Sequence, residues 1–130
     1  MSKKVLIVDD EPNILMSVEF LMRREGYEVA TAADGQEAIA LLGEFRPDLM
    51  ILDVMMPRKN GFEVCAEVRG DARLSAMPIL MLTAKGREAE MKKGLSLGAD
   101  AYITKPFSTH ELVLKVNEML VRGALEGPEP

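Results

Sequence analysis

Short apolar runs that end abruptly on polar groups constrain this chain more than any other feature. Val5-Leu6-Ile7-Val8 runs into Asp9-Asp10, Leu49-Met50-Ile51-Leu52 into Asp53, and Ile79-Leu80-Met81-Leu82 into Thr83. A weaker run, Ala101-Tyr102-Ile103, leads to Lys105-Pro106. Runs of this length without polar alternation are expected of strands buried on both faces. Tyr27 to Ala30 supplies a fifth, shorter candidate.

Helical periodicity fills the intervals. Ile14, Leu15, Val18, Leu21 and Met22 form one apolar stripe, which Gly26 ends; Ala38, Ile39, Leu42 and Phe45 form a second, closed by Pro47. Phe62, Cys65 and Val68 form a third. Leu112, Val113, Val116, Met119 and Leu120 form the last, opened by Ser108 with Glu111 three residues later, a capping box. The segment from Gly86 to Leu97 is different. It carries Gly86 and Gly94, many charges, and Met91, Leu95 and Leu97 as its sizeable apolar anchors. Each interior Gly costs a helix about 1 kcal/mol relative to Ala, so this is expected to be the loosest helix and a candidate moving part.

Strands alternating with helices imply an α/β fold with a five-stranded parallel sheet and right-handed crossovers. The 130 residues suit one domain, and their nearly half-apolar composition suits a packed core. With no Trp, the ten Met and the aliphatic residues must fill that interior. The expected domain covers residues 1–122, and residues 123–130, with two Gly and two Pro, read as a flexible tail or the start of a linker. Net charge is −5 with both signs dispersed, which disfavours direct nucleic-acid binding by this segment. The lone cysteine, Cys65, precludes an internal disulfide and reads as a core residue at helical spacing. Lys3 and Lys4 precede only the short run Val5–Val8, and no apolar stretch is long enough for a bilayer, so a cytoplasmic protein without membrane contact is expected.

The polar groups at the strand ends carry the chemistry. In an open doubly wound sheet, the carboxyl ends of the strands border the ligand crevice. If the first and third strands are neighbours, as in a 2-1-3-4-5 order, Asp9, Asp10 and Asp53 converge there. Three carboxylates at close range repel one another, and a hard divalent cation such as Mg²⁺ would relieve this. A neutralised carboxylate can then attack phosphorus to form an acyl phosphate. Lys105 would add a point charge toward phosphoryl oxygens, and Thr83 a hydroxyl donor. Taken singly, Asp10 and Glu11 read as helix-capping acids before Pro12, Thr83 as an ordinary satisfied hydroxyl, and Lys105-Pro106 as a turn. Their joint placement on four strand ends favours function.

Over residues 3 to about 122 the sequence resembles the receiver domain of bacterial two-component response regulators. The resemblance rests on Val5-Leu6-Ile7-Val8-Asp9-Asp10, on Leu52-Asp53-Val54-Met55-Met56-Pro57 with Gly61, on Leu82-Thr83-Ala84, and on Tyr102-Ile103-Thr104-Lys105-Pro106-Phe107. It implies a flavodoxin-like (βα)5 fold of sheet order 2-1-3-4-5, with Asp53 as phosphoacceptor. It implies that Asp10 binds Mg²⁺ directly and Asp9 through water, together with the Asp53 carboxylate and the Met55 backbone carbonyl. Lys105 would contact the phosphoryl group, with a cis bond to Pro106. Thr83 and Tyr102 would form the switch pair, reporting through the fourth helix, fifth strand and last helix. Met55 and Lys85 would tune loss of the phosphoryl group. Neither can hold an attacking water as an acceptor, so slow self-dephosphorylation is expected. The implied partners are a histidine kinase or phosphotransfer protein upstream and a downstream protein or output domain. A phosphorylation-linked homodimer is a further option.

Two rival readings are weaker. A haloacid dehalogenase-like phosphohydrolase needs a second Asp two positions after the nucleophile, where this chain has Met55. A flavodoxin-like nucleotide binder needs a small-residue loop after the first strand, where this chain has Asp9-Asp10-Glu11-Pro12.

Overall fold

The structure, a computed structural model, describes residues 2–84 and 88–125. Five strands, β1 (Lys4–Val8), β2 (Glu28–Ala32), β3 (Leu49–Asp53), β4 (Ile79–Ala84) and β5 (Ala101–Lys105), alternate with five helices. These are α1 (Pro12–Arg24), α2 (Gly35–Phe45), α3 (Gly61–Arg69), α4 (Glu88–Ser96) and α5 (Thr109–Leu125). Every pairing is parallel and the order is β2-β1-β3-β4-β5, as expected.

Side chains of successive strand residues point to opposite faces, and this splits the core in two. Leu6, Val8, Met50, Leu52, Ile79 and Met81 pack under α2 and α3. Val5, Ile7, Leu49, Ile51, Leu80, Leu82 and Ile103 pack against α1 and α5. Coverage on both faces is why the central runs contain no polar alternation. Cys65 is buried in the first of these layers.

Two boundaries differ from expectation. Tyr27 was expected to begin β2, but its N–H still donates to Met22 O at 3.1 Å, across the left-handed Gly26 (φ 92°). It therefore closes α1, and its hydroxyl donates to Asn117 on α5. Helix α5 continues to Leu125, past the expected boundary at 122, while residues 126–130 of the expected tail lie outside the described residues.

In α4, Leu95 is 43% exposed rather than an anchor. The helix instead approaches the sheet through Gly94, where a Cβ would lie 2.5 Å from Met81 Sδ. The glycine that weakens the helix is thus the residue that lets it pack. Among the described residues, no helix is long and apolar enough to cross a membrane.

Candidate functional site

The register brings the polar strand ends to one rim of the sheet. Val8 pairs with Leu52 across β1 and β3, so Asp9 follows directly beside Asp53. Asp53 in turn pairs with Leu82, and Thr83 lies one residue further along β4. Gly61, at the start of α3, closes over this point. A Cβ there would stand 2.3 Å from Asp53 O, so only glycine allows the helix to begin so close to the strand end. A capping box between Asn60 and Glu63 fixes that start.

Lys105 reaches from β5 into the acidic cluster. Its Nζ lies 2.9 Å from Asp9 Oδ2, an ion pair without hydrogen-bond alignment, and 3.2 Å from both Asp53 Oδ1 and Glu11 Oε1. Asp9 is fully buried, and its Oδ1 accepts the Glu11 N–H at 2.9 Å. Asp10 is exposed at the mouth, and one oxygen each from Asp9, Asp10 and Asp53 lie within 4.8 Å of one another. One ammonium thus faces three carboxylates, with Asp10 close to two of them.

This imbalance perturbs both partners. Asp53 is only 5% exposed, and burial, then the Asp9 charge, push its carboxyl up to about 7 against the opposing pull of Lys105. Burial draws the Lys105 ammonium downward, but the Asp9, Asp53 and Glu11 carboxylates outweigh it and hold the group above the ordinary lysine range. The donor set suits a hard divalent cation: three carboxylates, two buried and one open to water. The buried Thr83 Oγ1 has no hydrogen-bond partner among the described residues.

A family model described as the response regulator receiver domain matches residues 5–117. The chain belongs to the receiver-domain family. A CheY-like receiver domain protein from Methanospirillum hungatei is 32% identical, with a TM-score of 0.91 over 98% of this chain and 100% of that one. The chemotaxis protein CheY4 of Vibrio cholerae is 38% identical, with a TM-score of 0.86 over 91% and 98% of the two chains. NtrX from Brucella abortus is 28% identical, with a TM-score of 0.90; the match covers 97% of this chain and 28% of that protein.

The remaining receiver positions fall as follows. The Lys105–Pro106 peptide is cis. Tyr102 lies on the edge strand, 40% exposed, paired with Met81, while Thr104 pairs with Thr83. Thr83 and Tyr102 therefore share one sheet face on adjacent strands, diagonally related. The Met55 side chain is 61% exposed. Lys85 lies outside the described residues. Two contributors escaped sequence reasoning. Glu11 was weighed only as a helix-capping acid, yet its side chain makes no capping bond and turns to Lys105 instead. Arg58 carried no periodic or motif signal, yet it binds Asp34 across the loop that follows Asp53.

Proposed function

We propose that this receiver is a Mg²⁺-dependent phosphorylation switch whose Asp53 accepts a phosphoryl group from a histidine kinase or phosphotransfer protein. The observation that carries this reading is the buried Asp53 carboxylate, which shares the Lys105 ammonium with Asp9. Asp10, Asp53, the Met55 carbonyl and, through water, Asp9 would hold the cation, which when bound offsets carboxylate repulsion and phosphoryl charge.

The chain's own groups supply the rest. An Asp53 oxygen forms the new O–P bond as the donor's P–N or P–O bond breaks, and the electron pair leaves with the donor atom. Lys105 steadies charge developing on the phosphoryl oxygens, and Thr83 Oγ1 donates to one of them. Turning Thr83 toward the phosphoryl group frees space on the face it shares with Tyr102, and the ring moves inward. The α4–β5–α5 surface then carries the report to a downstream protein, to an output domain, as the 28% coverage of NtrX suggests, or to a second copy of the chain. The working location is the cytoplasm, where such donors occur.

Incubation with acetyl phosphate and Mg²⁺, followed by intact mass, is expected to show one added phosphoryl group, and none with EDTA. The adduct should decay slowly, because Met55 offers no acceptor to hold an attacking water. Uptake that ignores EDTA would overturn the metal assignment, and a half-life of seconds would overturn the slow decay.

Tyr102→Ala is expected to leave phosphorylation intact but cut the phosphorylation-dependent gain in partner affinity by about fivefold or more, a loss of coupling of about 1 kcal/mol. Titration calorimetry with and without acetyl phosphate measures it. Undiminished coupling would remove Tyr102 from the switch.

A further inference from the structure

The loop between β3 and α3, residues 54–60, is pinned at its base and again at its tip. At the base, Gly61 N–H donates to Val54 O at 2.9 Å, and Val54 N–H donates to Leu82 O at 3.2 Å. At the tip, Arg58 Nε and Nη2 both donate to Asp34 Oδ2, at 3.0 and 2.7 Å. Asp34 is itself buried and fixed, because its Oδ1 accepts the Glu37 N–H at 2.9 Å as the cap of α2. Beside this pair, the backbones touch: a Cβ on Gly35 would lie 2.0 Å from Lys59 O. The β2–α2 turn and the loop after Asp53 are therefore joined edge to edge.

Arg58 holds this contact from a left-handed backbone, φ 66°. A side chain other than Gly, Asn or Asp costs about 1 kcal/mol in that region, and such conformations persist where the surroundings dictate them. The ion pair is what the strained conformation achieves. Between base and tip, Met55 and Pro57 are exposed, while Met56 is buried in the core layer under α2 and α3. The Met55 carbonyl thus lies on a stretch held by buried Val54, by buried Met56 and, towards solvent, by the Arg58 ion pair, which sets how far the outer part of the loop can move.

We propose that the Asp34–Arg58 pair is a clasp that positions the loop for divalent-cation binding, so that Arg58 sets Mg²⁺ affinity without touching the ion. This rests on the reading of Asp53 and the Met55 carbonyl as metal ligands. Arg58 is a positioning residue: it acts through the loop backbone, and Asp34 is the fixed post to which it ties. Loosening the clasp frees the loop beyond Met56 and widens the range open to the Met55–Met56 peptide, so the cation must order it as it binds, and affinity falls.

The test is Mg²⁺ titration calorimetry on the metal-free chain, which needs no tryptophan signal. Arg58→Asn retains a residue suited to the left-handed backbone but is too short to reach Asp34. Asp34→Asn retains the helix cap but removes the charge. Each is expected to raise the Mg²⁺ Kd about tenfold, and the double variant should match either single one, because both break the same pair. Arg58→Lys should recover part of the loss. With acetyl phosphate, the Mg²⁺ concentration for half-maximal phosphorylation should rise in parallel, while the rate at saturating Mg²⁺ stays within about twofold. Variants that melt cooperatively yet bind Mg²⁺ as the parent does would overturn the clasp alone, as would additive effects in the double variant. A parent chain that binds no Mg²⁺ would overturn the metal reading itself, and the clasp's role with it.

Discussion

Asp53→Asn is expected to abolish phosphoryl uptake from acetyl phosphate and to make the metal-free protein more stable. The first effect follows from chemistry, since an amide oxygen is too poor a nucleophile to replace a carboxylate at phosphorus. The second follows from electrostatics. In the fold the Asp53 carboxyl keeps its proton up to about pH 7, whereas its ordinary value is 3.8. Between those limits the folded state binds more protons than the unfolded one, so raising the pH across this window lowers stability. Asparagine removes the titration. In EDTA at pH 8 the variant should gain about 2 kcal/mol, or about 5–10 °C in Tm, and lose most of the pH dependence between 4 and 7. Mg²⁺ should raise its Tm much less than it raises the parent's. Intact mass and thermal melts across pH check both parts. A variant that still acquires the adduct, or that melts below the parent at pH 8 without metal, would refute the assignment.

Lys105→Ala is expected to move two quantities in opposite directions. The ammonium lies within 3.2 Å of carboxylate oxygens from Asp9, Glu11 and Asp53, so its loss leaves buried negative charge uncompensated. Without metal, stability at neutral pH should fall by about 3 kcal/mol, the lower end for breaking a buried pair, since Asp53 can partly relieve the strain by holding a proton. Mg²⁺ binding should tighten by about tenfold, because a competing positive charge has left the pocket. Phosphoryl transfer at saturating Mg²⁺ should nonetheless slow by about 10²-fold, because the group that steadies the transferring oxygens is gone. Titration calorimetry and mass-resolved time courses separate these effects. Equal losses in metal affinity and transfer rate would mean that Lys105 merely holds the pocket together.

The layout of the sheet was legible because its central strands are covered on both faces, so Val5–Val8, Leu49–Leu52 and Ile79–Leu82 carry no polar interruptions. Where periodicity gave way to local backbone geometry, the reading slipped. Tyr27 has strand-like chemistry, but Gly26 wraps it back onto the end of α1. Leu95 looked like an anchor because it is large and apolar, whereas α4 touches the sheet at Gly94, a contact made by the lack of a side chain.

The site divides in the same way. Asp9, Asp10, Asp53, Thr83 and Lys105 could be gathered from the sequence because each ends a strand or follows one, and strand ends converge once the order is known. Glu11 and Arg58 could not. Glu11 stands where an acid before Pro12 reads equally well as a cap, and only its rotamer decides. Arg58 depends on a left-handed turn and on an aspartate 24 residues away, a pairing without any local pattern.

Sheet order also separates what must endure from what must change. The acids sit at the carboxyl ends of β1 and β3, two interior strands, whereas Tyr102 sits on β5, an edge strand of the sheet. A residue on an edge strand can adopt a new posture without prising the interior apart. On the proposed switch reading, the molecule alters its message while its architecture stays untouched, and a variant left mute by damage at Tyr102 should still be a sound, well-folded protein.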